Sequence, residues 1–207
     1  MADGQLTLGS VELPALRPMT MVHAEGPMPD GSFGMVFGAL KDRPTPVPGG
    51  LFGSADGLAG SDSAGGLDNP AGSDDSDGAD GLFGLGVQTQ YGSSAALYGG
   101  GDPSELPLSF RLDSPLLGAD CRIGTDAQPV MLHLVRSGPS TWLSQNPPLI
   151  RFSASSTFPT PAVTGCGPLT DLLDQRLGLP AATGSQVSYT AEYTFESYDR
   201  LSQLPAN

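Results

Sequence analysis

Leu106-Pro-Leu-Ser-Phe-Arg-Leu-Asp-Ser-Pro-Leu-Leu-Gly-Ala-Asp-Cys121 is the stretch of sequence that decides the fold of this chain. Its first half alternates large apolar residues with smaller or polar ones, which is the two-residue period of a half-buried β-strand. Its last residue is one of only two cysteines, and the other lies in Thr164-Gly-Cys166-Gly-Pro-Leu169. We predict that Cys121 and Cys166 form one disulfide closing a β-rich module, with two unrelated buried thiols as the alternative.

Further strand candidates flank this stretch. They lie at residues 5–13, 19–23, 32–37, 86–91, 130–135, 149–153 and 186–195. Gly9-Ser10 bends the first, and the turn-forming run 26–31 makes the second and third a hairpin with a long loop. One helix is expected at 170–177, with Thr170 as its N-cap and Gly178 just after its end. These elements predict an all-β fold, an antiparallel β-sandwich with one short helix and a long Gly/Asp-rich loop.

The size and composition of the chain predict one domain. A length of 207 residues allows one domain with a real core, and two would be crowded. Only 38% of the residues are hydrophobic, and 29 Gly with 20 Pro fit many short strands joined by turns better than a helical bundle. We therefore predict a single β-sandwich domain over residues 1–207, with a low-complexity acidic loop at about 49–86.

The acidic loop has a composition that does not favour folding. Residues 54–81 contain seven aspartates and neither lysine nor arginine. Such a segment cannot bury enough apolar area to offset the entropy of ordering, so on its own it is expected to be disordered. Its flanks echo each other, as Gly49-Gly-Leu-Phe-Gly53 and Gly81-Leu-Phe-Gly-Leu85. The two flanks could dock as small apolar anchors around a looped-out tip.

The end of this loop, Asp74-Asp-Ser-Asp-Gly-Ala-Asp-Gly81, offers clustered hard oxygens of the kind that Ca²⁺ prefers. The candidate metal ligands are Asp74, Asp75, Asp77 and Asp80. The run does not follow the EF-hand, because the fifth position counted from Asp75 is Ala79 and no glutamate closes the loop. It also departs from the glycine-rich nonapeptide of calcium β-rolls. A solvated acidic loop without a bound ion is the alternative, and the sequence favours it.

Charge and hydropathy narrow the possible partners. The formal net charge of −13 argues against nucleic acid and anionic lipid headgroups, which need a positive surface. No run of about 18 apolar residues is present, so no membrane-spanning helix is predicted. Met-Ala-Asp-Gly-Gln5 lacks the basic and apolar regions of a signal peptide. Either an export signal has been removed, or the protein never used one.

The sequence offers little that suits catalysis. His133 lies in an apolar strand and is expected to be a packed core or interface histidine, and His23 ends a strand beside Glu25. No Gly-x-Ser-x-Gly elbow, His-Glu-x-x-His, Walker loop or Gly-x-Gly-x-x-Gly motif opening a helix is present. The clustered carboxylates lie in a flexible loop where nothing would separate their pKa values. We therefore predict that the protein is not an enzyme.

Trp142 is the candidate contact residue for a partner. Together with Leu143, beside Pro147-Pro148, it could be an exposed aromatic contact for another protein or a glycan. A partly buried loop anchor is the alternative, and the sequence favours that interpretation.

Two segments carry a resemblance, Leu112-Asp-Ser-Pro-Leu-Leu-Gly-Ala-Asp-Cys-Arg-Ile-Gly124 and Pro129-Val-Met-Leu-His-Leu134. They resemble a family of uncharacterised secreted actinobacterial proteins with the two-cysteine pattern Cys-x-Ile-Gly … Gly-Cys-Gly. The likeness continues at residues 47–53, 164–167 and 178–184. It implies an exported, disulfide-bonded protein and brings no catalytic residues. The chain departs from the family in its acidic loop and in lacking an export signal, and the latter would fit a phage-encoded relative displayed on a virion.

These observations lead to one expected function and one alternative. We expect a non-enzymatic structural protein that acts through contacts with other protein subunits, in a homo-oligomer or a larger assembly. It would be a secreted or cell-surface component of an actinobacterium, or a decoration or tail protein of an actinobacterial phage. The alternative is a glycan- or calcium-binding module at the cell surface.

Overall fold

The computed structural model describes residues 3–13, 15–27, 33–53, 82–92 and 104–194. Within these ranges the chain forms thirteen strands: β1 (Asp3–Leu8), β2 (Val11–Leu13), β3 (Thr20–Pro27), β4 (Phe33–Lys41), β5 (Thr45–Pro46), β6 (Gly86–Tyr91), β7 (Ser104–Asp113), β8 (Arg122–Ile123), β9 (Val130–Arg136), β10 (Thr141–Gln145), β11 (Pro148–Thr160), β12 (Val163–Thr164) and β13 (Ala181–Thr194). One helix, α1 (Thr170–Leu177), follows the 3₁₀ turn Gly167–Leu169. The paired strands are antiparallel, so the predicted all-β class is confirmed.

Eleven of these strands share one hydrogen-bonded sheet. Its main path runs β12-β8-β7-β9-β11-β13-β1-β2, with β10 on β11, β6 on β7 and β5 on β6. The sheet curves back over its own interior. An internal gap of about 30 Å³ is lined by Leu6 of β1 and Val187 of β13 together with Leu108 of β7 and Leu132 of β9. Strands that are distant in the sheet order therefore face each other across one core, as the sandwich prediction required.

β7 supplies the centre of that core. Leu106, Leu108, Phe110 and Leu112 are all buried, as their alternation predicted. The ring of Phe110 stacks on the ring of Phe158 from β11, with centroids 6.5 Å apart. This contact links the two sides of the folded sheet through side chains, since β7 and β11 are separated by β9 in the pairing order.

The turn between β1 and β2 requires glycine at position 9, where the sequence predicted a bend. Gly9 has a φ of +56°, and a Cβ there would overlap the carbonyl oxygen of Leu177 at the end of α1. The N–H of Ser10 donates to the same oxygen at 2.8 Å. Only glycine combines this backbone conformation with so close an approach, so the turn fixes the helix end against the sheet.

Helix α1 covers the predicted residues 170–177, but its N-cap is a different residue. Gly178 ends it in the left-handed conformation, with φ +67°. Thr170 was predicted to be the N-cap, but Leu169 occupies that position and makes no side-chain cap hydrogen bond. The hydroxyl of Thr170 instead donates to the Gly167 carbonyl at 2.8 Å. Pro168 favours the preceding 3₁₀ turn, and the N-cap therefore lies one residue earlier than predicted.

Other boundaries also differ from the sequence-based expectations. β11 runs over thirteen residues rather than five, and β10 was not predicted as a strand. The hairpin of β3 and β4 is confirmed, with Pro27 opposite Phe33. The central part of the acidic loop, residues 54–81, lies outside the described residues, and the single domain over residues 1–207 stays a prediction.

In the part of the chain that the structure describes, no helix is both long and apolar enough to cross a membrane.

Candidate contact surfaces

The predicted disulfide between Cys121 and Cys166 is present, with an S–S distance of 2.01 Å. Both cysteines are buried. Cys121 directly precedes β8, and Cys166 lies two residues after the end of β12. These two short strands pair with each other, with Val163 opposite Ile123. Since α1 begins four residues after Cys166, the disulfide joins β8 to the segment that leads into the helix.

α1 is attached to this region by a side-chain hydrogen bond. The Asp174 Oδ1 atom accepts a hydrogen bond from the N–H of Val163 at 2.8 Å. On the helix face that packs into the core, Leu173 and Leu177 are fully buried. The hydrogen bond from Val163 to the helix and the disulfide at Cys166 therefore both restrain β12.

The two echoed flanks of the acidic loop meet in the structure. We call residues 47–53 and 82–85 the neck. The N–H of Val47 donates to the Leu85 carbonyl at 2.8 Å, and the N–H of Leu51 donates to the Phe83 carbonyl at 3.0 Å. Leu51 and Leu85 are fully buried. The flanks thus dock as apolar anchors, as their echo suggested.

The same neck turns other apolar side chains towards solvent. Phe52, Leu82 and Phe83, which we call the neck patch, are 61%, 59% and 54% exposed. The Phe52 and Phe83 rings contact each other edge to face, with centroids 5.3 Å apart. The neck patch is a compact aromatic surface directly beside the two ends of the acidic loop.

The backbone beneath the neck patch is held by specific contacts. The Arg176 guanidinium of α1 donates to the carbonyls of Gly50 and Pro48. Gly50 has a φ of +58°, and a Cβ there would overlap the Phe83 carbonyl oxygen. The hydrogen bonds from Arg176 and the close approach of Gly50 to Phe83 therefore hold the turn that carries the two aromatic rings.

A second exposed apolar surface lies on β10. Trp142 and Leu143, which we call the edge patch, are 56% and 40% exposed. The interpretation of Trp142 as a partly buried loop anchor is wrong, because the residue lies in a strand opposite Ile150 of β11. Its exposure agrees with the alternative, an aromatic side chain available to a partner.

The apolar face of the core extends along β11 towards Trp142. Ile150 lies opposite both Trp142 of β10 and Tyr193 of β13. Two residues further along, Phe152 contacts the Tyr189 ring edge to face at 6.3 Å. Burial raises the pKa of Tyr189 to about 12. The inner face of the sheet therefore continues beyond the packed core to the end of the β10–β11 hairpin.

His133 and Asp42 each lie beside a polar partner. His133 is exposed, so the predicted core position is wrong, whereas the interface position stays a prediction; its Nδ1 atom lies 3.6 Å from the Glu105 carboxylate. Its direction follows from strand alternation, since Leu132 beside it faces the core. The Asp42 Oδ2 atom accepts the N–H of Thr89 at 2.8 Å. Burial raises the pKa of Asp42 above its usual value, although that hydrogen bond opposes the shift.

An open groove runs beside β1, β11 and β13. It has a volume of about 440 Å³, and small side chains such as Ser137, Ser153 and Ser188 line it beside the Tyr189 phenol. Among the described residues that line it, none carries a carboxylate, an imidazole or an amine. A serine hydroxyl there has no general base among these described neighbours.

The predicted calcium ligands belong to residues that the structure does not describe. Asp74, Asp75, Asp77 and Asp80 lie outside the described residues. Within the described ranges, no group of three or more His, Cys, Asp or Glu side chains is placed to hold a metal ion. Calcium binding at the acidic loop stays a prediction.

No protein-family model, curated protein or solved structure matches the chain. The resemblance to secreted actinobacterial proteins therefore also stays a prediction.

Proposed function

We propose that this protein is a non-enzymatic structural protein that acts through contacts with other protein subunits. The observation that carries this proposal is the clustering of its exposed apolar side chains. Eight large hydrophobic residues are exposed in the described part of the chain, and five of them form the neck patch and the edge patch. Single exposed apolar residues are ordinary, whereas clusters of them mark interaction surfaces.

The neck patch has the properties of a binding hot spot. Aromatic side chains dominate the energy of protein interfaces, and individual ones contribute about 2 kcal/mol or more when they fill a pocket on the partner. Phe52 and Phe83 already contact each other, and the bonds from Arg176 hold the turn that carries them. A surface ordered in advance loses less conformational entropy on binding, so this arrangement supports tight contact over a small area.

The compartment we propose is extracellular. A buried disulfide fits an oxidising environment, where such bonds form and persist. The resemblance described above supports a secreted or cell-surface protein of an actinobacterium, or a component of an actinobacterial phage particle. The net charge of −13 supports a protein partner rather than nucleic acid.

Site-specific photo-cross-linking tests the proposal. A benzophenone amino acid replaces Phe83 in the full chain, expressed in its native cells or particles, and irradiation follows. We expect a discrete cross-linked product larger than the 21.2 kDa chain. The control carries the same probe at Gln128, an exposed turn residue that belongs to neither patch. The proposal fails if position 83 yields only the uncross-linked chain, or the same products as position 128.

A matched substitution asks whether the aromatic pair is responsible for the contact. In the double variant Phe52→Ser/Phe83→Ser, a probe at Leu82 should lose the cross-linked product that the same probe gives in the wild-type background. Both substituted side chains are exposed, so the far-ultraviolet circular dichroism spectrum should be unchanged. An undiminished product would show that the neck patch does not mediate the contact.

A further inference from the structure

β10 has an edge that no described strand occupies. Residues Thr141–Gln145 pair with β11 on one side, and β11 is their only pairing partner among the described strands. Edge strands of monomeric proteins are usually protected by charged residues, by proline or by bulges that bend them away. β10 has a bulge between Trp142 and Ser144 but contains neither a charged residue nor a proline. Instead it exposes a tryptophan and a leucine.

The charge distribution indicates what the edge can accept. Between Arg136 and Arg151, residues 137–150 include no ionisable side chain. The whole chain carries a net charge of −13, so two copies repel each other overall. This uncharged hairpin is a place where they can approach closely at little electrostatic cost. A basic partner would gain more by binding elsewhere, so the charge pattern favours a second copy of the chain.

The geometry of the strand is also compatible with self-pairing. An antiparallel pair made of one strand and its own copy has two-fold symmetry, which closes the assembly at a dimer. Leu143 is the central residue of β10, and it has no partner on β11 because of the bulge. A two-fold axis there brings Leu143 of one copy opposite Leu143 of the second. Trp142 of each copy then lies beside that axis.

We propose that two copies of this chain associate through β10, in antiparallel register about a two-fold axis at Leu143. This inference rests on the proposed function, since it specifies one subunit contact, but it concerns the edge patch and not the neck patch. Five residues a side and two exposed apolar side chains make an interface below the usual size of stable complexes. The dimer is therefore weak, with a dissociation constant in the range of about 1–100 µM.

Sedimentation velocity of the full chain between about 1 and 300 µM tests the association. The average mass should rise from 21.2 kDa towards twice that value. The variants Leu143→Lys and Leu143→Glu should each stay monomeric throughout, because like charges then face each other across the axis. An equal mixture of the two variants should recover the dimer, because the charges are then opposite.

A matched control separates this effect from a general effect of surface charge. Leu116 is 44% exposed, close to the 40% of Leu143, and lies in the turn between β7 and β8. Leu116→Lys should dimerise like the wild type. A second test uses Leu143→Cys, since both native cysteines are bonded to each other. Under mild oxidation this variant should form a covalent dimer, whereas Leu116→Cys should not.

Several results would overturn the inference. A wild-type chain that stays monomeric up to the highest concentration excludes a dimer of this kind and leaves the edge to a different partner. A mixture of the lysine and glutamate variants that stays monomeric excludes the two-fold register at Leu143. If Phe52→Ser/Phe83→Ser abolishes the dimer and Leu143→Lys does not, self-association uses the neck patch. In that case the proposed function survives and the inference about β10 fails.

Discussion

Removal of the disulfide should cost this protein a large part of its stability. Cys121 and Cys166 are 45 positions apart, so the bond closes a loop of 46 residues when both cysteines are counted. In the chain-entropy model, a cross-link of this span stabilises the folded state by about 4 kcal/mol, because it restricts the unfolded chain. The free energy of unfolding of a typical domain is only about 5–15 kcal/mol.

The double variant Cys121→Ala/Cys166→Ala should lose slightly more than the entropic value. Both side chains are buried, so truncation also leaves a small cavity, for which we add about 1 kcal/mol. The expected decrease in the free energy of unfolding is therefore about 5 kcal/mol. With a urea m-value of about 2 kcal/mol/M, the unfolding midpoint should fall by about 2 M or more.

Equilibrium urea unfolding, followed by far-ultraviolet circular dichroism, measures this difference. The wild type should move towards the variant when a reductant is added, and the variant itself should not respond to the reductant. A decrease of less than about 1 kcal/mol would refute the reasoning. It would show that the pairing of β8 with β12 and the contacts of α1 hold this region without the covalent bond.

Three further predictions follow from individual contacts. Burial raises the pKa of Tyr189 from 10.0 to about 12, so the stability from this group is complete below pH 10 and is lost between pH 10 and 12. Tyr189→Phe should reduce the fall in unfolding free energy over that range by up to about 3 kcal/mol, measured by urea unfolding at each pH, and identical curves would contradict this. Gly165→Ala should lower the melting temperature by an amount equivalent to about 1–3 kcal/mol, because φ is +72° and a Cβ would overlap the Asp120 carbonyl oxygen; an unchanged melting temperature would count against the strain. Burial raises the pKa of Asp42 above 3.8, so its contribution to stability is present below pH 3.8 and is lost as the pH rises through the raised value. Asp42→Asn should remove that part of the pH dependence, and parallel wild-type and variant curves would rule out the assignment.

Much of the fold could be predicted because the conformation of some segments is determined by their local sequence pattern. The alternation in β7 fixed which side chains enter the core, and Gly9-Ser10 marked the turn between β1 and β2. The echoed flanks of the acidic loop predicted the docking of the neck, and each flank supplies one buried leucine, Leu51 from the first and Leu85 from the second. In each case the signal is local, and the tertiary structure did not override it.

Other features depend on contacts that are distant in sequence. β11 is long because β13 pairs along most of its length, and its serine-rich middle has no strong apolar alternation. The segment Thr-Trp-Leu-Ser-Gln of β10 is short and lies between prolines, which is typical of a loop. It is a strand because it pairs with β11. The exposure of Phe52 and Phe83 depends on the turn geometry at Gly50, which composition alone does not give. The candidate contact surfaces were therefore harder to predict than the core.

Helix α1 connects two parts of the molecule that could otherwise vary independently. Asp174 holds β12 beside the cysteine cross-link, and two residues later Arg176 holds the carbonyls under the aromatic pair. A loosened cross-link would free the helix to shift, and the platform beneath Phe52 and Phe83 would shift with it. A change at the cysteines would therefore reach the aromatic pair through a single short helix.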